Sequence, residues 1–317
     1  MRGLIVIVHG TVDSVAELPQ FLTNIRRGHP PSPELLAEVT RRYQAIGGRS
    51  PLNDITRELT TKLGAALGLP ARACGRLFAP TPREAIRGLV ADVGGALTEL
   101  VVLPLAQHSA SIYVEAVREA ALAEVGDGVR VLGPSNWGRH AGLSDAFAAR
   151  VDDALRGLSD AELAATTVIF SAHSLPVAVV RAGDPYEAEC RASAAAIEAR
   201  LARAPGRAVV CFQSQGMSAG PGGRPVEWMG PDLRAAFEEA RAAGHTRVVV
   251  APVGFLADHV EILYDLDIEA RAWASELSLQ FSRTASLNAD DALVEVLVDV
   301  ARALTAPPTP PRTPGGA

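Results

Sequence analysis

Leu4-Ile5-Val6-Ile7-Val8, running directly into His9-Gly10-Thr11, sets the reading of the whole chain. A strand with one face in water alternates apolar and polar residues, whereas a strand covered on both faces stays apolar, a pattern that belongs to parallel sheets with helices on each side. Leu4 to Val8 shows the second pattern. The run is shorter than a signal-peptide core and far short of the roughly 20 residues that cross a bilayer, so it predicts a buried first strand in a cytoplasmic protein with no integral membrane segment. Seven further β-rich runs follow: Arg72 to Leu77, Leu100 to Leu105, Val129 to Leu132, Thr166 to Ala172, Ala208 to Phe212, Arg247 to Val253 and Leu277 to Phe281.

Between these runs lie alanine-rich amphipathic stretches with helix punctuation. Thr81-Pro82-Arg83-Glu84 is a capping box with proline at the first helical position, Ser159 and Glu162 form a second box, and Asp184-Pro185 repeats the cap-then-proline start. Strands alternating with helices predict an α/β protein. Four runs fall before about residue 150 and four after it, which predicts two similar open domains, 1–150 and 151–305, each a four-stranded parallel sheet flanked by helices. Residues 306–317, rich in proline and glycine, read as a disordered tail.

Composition narrows the function. The 317 residues carry 36 acidic and 30 basic side chains, a net charge of -6, which argues against a nucleic-acid partner and favours a small molecule. A chain of this length buries enough surface to fold without a structural metal. The three cysteines, Cys74, Cys190 and Cys211, lie too far apart for a zinc-ribbon spacing and point to a reducing compartment.

In open parallel sheets ligands bind beyond the carboxyl ends of the strands. Four of the seven histidines, His9, His108, His173 and His259, fall at or just past such ends, where a cleft between two domains would lie. The segment from Asp258 to Glu269 is acidic, and on a helix Glu261, Asp265 and Glu269 recur every four residues in one stripe, with Asp258 a turn earlier. The stripe is either a solvated face or, since Ile262, Leu263, Tyr264, Leu266 and Ile268 surround it, a half-buried row able to carry protons or hold a cation. His173 with this row suits ferrous and other borderline first-row ions. The early arginines, Arg26, Arg27, Arg41, Arg42 and Arg49, are either solvated or a docking surface for carboxylates. Net charge would then conceal a polarised cleft, acidic on one side and basic on the other.

Competing motifs are weak. Gly216-Met217-Ser218-Ala219-Gly220 matches a nucleophile elbow, but Pro221, Gly222, Gly223 and Pro225 forbid the helix that must follow, so it reads as a flexible loop. Nothing supports a nucleotide site, because no GK[ST] ending or GxGxxG follows a strand.

HGTVDS (9–14), NIRRG (24–28), RRYQAIGGRSPLNDIT (41–56), FSAHSLP (170–176), GDPYEAEC (183–190), FQSQGM (212–217), WMGPD (228–232) and PVGFLADHVEILYDLDIE (252–269) together resemble the ferrochelatase family, metal chelatases of the lyase class that insert ferrous iron into a porphyrin in haem biosynthesis. The resemblance implies two Rossmann-like domains around a porphyrin cleft, His173 and Glu261 as catalytic residues, and Asp265 and Glu269 continuing a row that handles metal or protons. It implies Fe(II) as substrate and, from the scattered cysteines, no iron–sulfur cluster. The polar Asn24 to Arg42 segment resembles the soluble branch acting on coproporphyrin III, whose propionates would meet Arg26, Arg27, Arg42, Tyr43 and Ser50; protoporphyrin IX is the alternative substrate, and a non-catalytic porphyrin carrier the alternative class. One departure stands out. Where that branch usually carries a tyrosine that can ligate the inserted iron, this chain has His9, either a ligand or a structural group. A monomer in transient contact with neighbouring haem-pathway enzymes is the expected state.

Overall fold

A computed structural model describes residues 1–215 and 225–306. The Gly216–Gly220 motif and nearly all of the proline-rich tail lie outside the described residues.

The first half runs β1 (Arg2–Val8), α1 (Leu18–Ile25), α2 (Pro33–Ala45), α3 (Leu52–Leu67), β2 (Ala71–Gly75), α4 (Pro82–Asp92), β3 (Glu99–Pro104), α5 (Ala110–Val125) and β4 (Arg130–Leu132). The second continues with α6 (Ala141–Leu155), α7 (Asp160–Ala164), β5 (Thr166–His173), α8 (Val177–Arg181), α9 (Tyr186–Glu198), β6 (Arg207–Gln213), α10 (Leu233–Ala242), β7 (Arg247–Ala251), α11 (Val260–Leu263), a π-helical turn (Asp265–Ala270), α12 (Arg271–Glu276), β8 (Gln280–Arg283) and α13 (Asp291–Thr305). All strand pairs are parallel, and the two four-stranded sheets share one order, β2-β1-β3-β4 and β6-β5-β7-β8. The duplication inferred from element order is therefore present in the topology, with β1 equivalent to β5 and β3 to β7.

The apolar runs behave as their composition requires. In β1, Leu4 and Val6 face one core while Ile5 and Ile7 face another, and in β5 Val168 and Phe170 separate from Ile169 in the same way. The inner faces of both sheets meet in one cluster, joined by Leu59 and Leu63 of α3, Phe147 and Val151 of α6, and Leu293 and Leu297 of α13. Each such large apolar side chain contributes about 1.5–3 kcal/mol on burial, against about 0–1 for an exposed ion pair, so this shared core fixes the relation of the sheets. The helix starts are those read from sequence: Thr81 with Glu84 and Ser159 with Glu162 form reciprocal capping boxes, and Asp184 accepts from the Tyr186 amide at 2.9 Å.

Several strand ends shift from expectation, β7 among them, which stops at Ala251 instead of Val253; two of the shifts have a clear local cause. β2 stops at Gly75 instead of reaching Leu77, because the chain turns where a Cβ on Gly75 would lie 2.6 Å from the Phe78 carbonyl oxygen. β8 begins at Gln280 instead of Leu277, since α12 runs through Glu276 and Ser278 turns the chain at φ 53°.

Candidate active site

Each sheet changes direction of winding between its two central strands, and a crevice opens at that switch point beyond the strand ends. Here the two crevices face each other and merge into one cleft of about 390 Å³. His9 follows β1 and His108 follows β3 at the first switch point; His173 ends β5 and His259 follows β7 at the second. All four line the cleft. The strand-end rule thus found one site from four separated stretches of chain.

The second half supplies the polar centre. Ser174 N donates to Gln213 O at 2.7 Å and Gly254 N to Ser171 O at 2.9 Å, so the ends of β5, β6 and β7 are tied together where His173 and Glu261 emerge. His173 Nδ1 lies 3.1 Å from Glu261 Oε2. Donation from Nδ1–H leaves Nε2 as the basic nitrogen of the neutral ring. Burial by itself would lower the His173 pKa, but the Glu261 charge and hydrogen bond raise it above the ordinary value. Burial would raise Glu261, yet His173, His259 and His9 hold its carboxyl well below the usual range. Both shifts describe a charge-assisted pair. Its contribution to stability is lost as pH falls from 4.5 through the depressed Glu261 value and as pH rises from 6.5 through the raised His173 value, so it is largest between those ordinary values. The two side chains keep 38% and 36% exposure, so the pair adds little to folding stability.

A pH prediction follows from the sign of these shifts. A base must be unprotonated, so the acid limb of an activity profile governed by His173 lies above about 6.5. Glu261→Gln removes the main raising influence and should move that limb to lower pH, beyond any loss of maximal rate. A profile of kcat/KM against pH with an unmoved limb would show that Glu261 does not set the titration.

The acidic row differs from the regular helix expected. α11 is a single short helix, and from Asp265 to Ala270 the backbone is π-helical, with Glu269 N donating to Tyr264 O at 3.1 Å. Four residues of α-helix overshoot a full turn by about 40°, whereas the wider π turn reverses that drift, so the inserted turn keeps Glu261, Asp265 and Glu269 in one row. Asp265 is 5% exposed; it accepts from Ser214 Oγ at 2.5 Å and Arg42 Nη1 at 3.2 Å. Burial pushes its pKa up to about 7, with the Ser214 hydrogen bond opposing and the Glu261 charge reinforcing the shift. Glu269 is half-buried at the row's outer end. Asp258 does not join the row: before the helix begins it accepts from Ser286 Oγ at 2.7 Å and Asn288 Nδ2 at 3.1 Å, an anchoring role.

His173, Glu261, Asp265 and Glu269 were expected to share metal binding, but they do not form one cage. Among the described residues no three His, Cys, Asp or Glu side chains converge on a metal position, because His173 and Glu261 pair with each other while Asp265 turns to Arg42 and Ser214.

The first half forms the opposite wall. Tyr113 Oη lies 3.4 Å from His9 Nδ1, and the Arg76 guanidinium stands over the Tyr113 ring at 5.8 Å. Although His9 is open to the cleft, enclosure by protein pushes its pKa down to about 4 and keeps the ring neutral. Tyr43, 1% exposed, lines the cleft floor with its hydroxyl 2.7 Å from Thr11 Oγ1. The other residues expected at the propionates do not line this cleft. Ser50 is fully buried and accepts from Leu52 N at 3.3 Å. Arg42 pairs with Glu38 at 2.8 Å and with Asp265, and stacks on Tyr264 at 5.0 Å; Arg26 Nε donates to Pro30 O at 3.3 Å, and Arg27 is exposed. The basic segment is therefore not set apart from the acidic row, since α2 clasps it. Arg76 and Tyr113 were missed. Arg76 was hidden because β2 was expected to continue past it, although the strand-end rule would have selected it once the turn at Gly75 was recognised.

The ferrochelatase family model matches residues 1–304. The chain belongs to the ferrochelatase family. Curated relatives include a ferrochelatase of Thermus thermophilus, 34% identical, covering 95% of this chain and 98% of that protein. They also include coproporphyrin III ferrochelatase 1 of Bacillus cereus, 33% identical over 94% of this chain and 96% of that one. Among solved structures, SirB from Bacillus subtilis with Fe3+ superposes with TM-score 0.59 at 14% identity, covering 96% of each chain. CbiX, the terminal enzyme of sirohaem biosynthesis in denitrifying bacteria, gives 0.52 at 15% identity, over 95% of this chain and 98% of that one. At those identities the structures speak for the chelatase fold alone. No helix among the described residues of this ferrochelatase-family chain is long and apolar enough to cross a membrane.

Proposed function

We propose that the chain inserts ferrous iron into a porphyrin, a lyase reaction of haem biosynthesis, with coproporphyrin III as substrate and coproheme III as product. The observation that carries this reading is the His173–Glu261 pair at 3.1 Å, facing the His9 wall across a largely apolar cleft in a chain that matches the family over 1–304. Insertion of Fe²⁺ releases the two pyrrole N–H protons. His173 Nε2 accepts a proton while Glu261 balances the imidazolium that forms. The row from Glu261 through Asp265 to Glu269 offers the next acceptors, and Asp265, with its pKa near 7, both takes and releases a proton near neutrality. Apolar walls on both faces favour a macrocycle whose nitrogens are turned toward the metal. His9, neutral in the cleft, is suited to bind the inserted iron from the other face.

The coproporphyrin branch is supported by the polar Asn24–Arg42 segment and by relatives carrying that name. The same reading places a monomer in the cytoplasm, uses neither nucleotide nor iron–sulfur cluster, and divides the chain near residue 150. The test is anaerobic incubation of ferrous iron with coproporphyrin III or protoporphyrin IX, followed by the porphyrin absorption bands. Faster turnover of coproporphyrin is expected; preference for protoporphyrin reverses the branch, and binding without metallation makes the protein a carrier.

A further inference from the structure

A porphyrin carrying propionates needs cationic partners at the cleft, and most of the early arginines are engaged elsewhere: Arg41 and Arg42 with Glu38, Arg42 also with Asp265, and Arg49 with Asp54. Among the described residues lining the cleft, the one arginine is Arg76. Its position is fixed by the backbone, for Arg76 N donates to Val8 O at 2.8 Å and Leu77 N to His9 O at 2.9 Å, which straps the exit of β2 against the end of β1. Its guanidinium lies over the Tyr113 ring, and no carboxylate of the described residues forms an ion pair with it. The side chain is half-buried, so water competes only in part for its donors.

We propose that Arg76 is the carboxylate anchor of the cleft, binding one propionate of the porphyrin through a bidentate guanidinium fork on the His9 side. The assignment rests on the proposed reaction and names the residue that orients its substrate. Stacking on Tyr113 fixes the plane of the fork, and the backbone strap fixes its distance from His9. The propionate held there sets the rotation of the macrocycle between His9 and His173. A charge-assisted bidentate contact is a strong one. In the unliganded cleft Arg76 also helps lower the His9 pKa, an influence that a bound carboxylate would offset.

The test compares Arg76→Gln and Arg76→Lys with wild type, using coproporphyrin III and its tetramethyl ester, which has the same ring and no carboxylate. Porphyrin fluorescence quenching gives Kd, steady-state insertion gives KM and kcat, and thermal melting checks the fold. Arg76→Gln should raise Kd and KM for the free acid about 10- to 100-fold, with the loss falling on KM more than on kcat. Lysine should restore part of it, and the ester should bind all three proteins alike. Equal weakening of acid and ester, or an unchanged Kd for the acid, overturns the anchor. If wild type metallates no porphyrin, the reaction itself fails, and quenching still decides whether Arg76 reads the carboxylate.

Discussion

His173→Ala should abolish iron insertion while leaving porphyrin bound. A positioned general base is worth about 10²–10⁴ in rate, and here the loss should reach the upper end, because no other imidazole is paired with Glu261: His9 faces Tyr113, and His259 Nδ1 lies 3.0 Å from the Ala257 carbonyl. Removing the imidazole also removes the main influence holding the Glu261 carboxyl down, which makes that carboxylate a stronger base but takes away the Nε2 through which the first proton would pass. Folding should survive, since His173 is 38% exposed and leaves no closed cavity. The check is single-turnover insertion under anaerobic conditions beside fluorescence quenching of the free porphyrin. A variant that binds porphyrin but metallates it at more than about a tenth of the wild-type rate would remove His173 from the reaction.

The fold was legible because its information is local. Unbroken apolar runs such as Leu4–Val8 and Thr166–Ala172 state that both faces are covered, and capping boxes such as Thr81–Glu84 state where helices start. The His173–Glu261 pairing was legible through strand ends, and its proposed role came through resemblance. What escaped was set by contacts distant in sequence. Nothing near Arg42 announces Asp265, 223 positions away, so an arginine engaged with the acidic row read as a free docking group. Ser50, assigned to the propionates by resemblance, is fully buried, and that burial depends on packing the local sequence does not encode. The π turn was invisible for another reason: a spacing of four fits the α-helix well enough that the wider turn leaves no separate sequence signal.

Gly254→Ala should damage the site more than the fold. A Cβ on Gly254 would lie 2.5 Å from the Ala172 Cα and 2.6 Å from its Cβ, with the Ser171 carbonyl oxygen at 3.3 Å. Backbone blocks the new methyl, so the strand end and the loop must move apart. Such overpacking costs about 1–3 kcal/mol, and in a chain of this size each kcal/mol lowers Tm by roughly 1.5 °C. The larger effect is geometric. Ala172 precedes His173, and the chain leaving Gly254 leads into the helix that carries Glu261, so the displacement falls on the two elements that set the 3.1 Å contact between His173 Nδ1 and Glu261 Oε2. A misplacement of about 1 Å in a catalytic constellation can cost about 10² in rate. Gly128→Ala is the matched control, because a Cβ there meets nothing within 4 Å. The expected pattern is a modest fall in Tm and a rate loss near 10² for Gly254→Ala, with little change in either for Gly128→Ala. Wild-type insertion by Gly254→Ala would mean that the close approach of the loop to β5 is not what holds the His173–Glu261 pair in register.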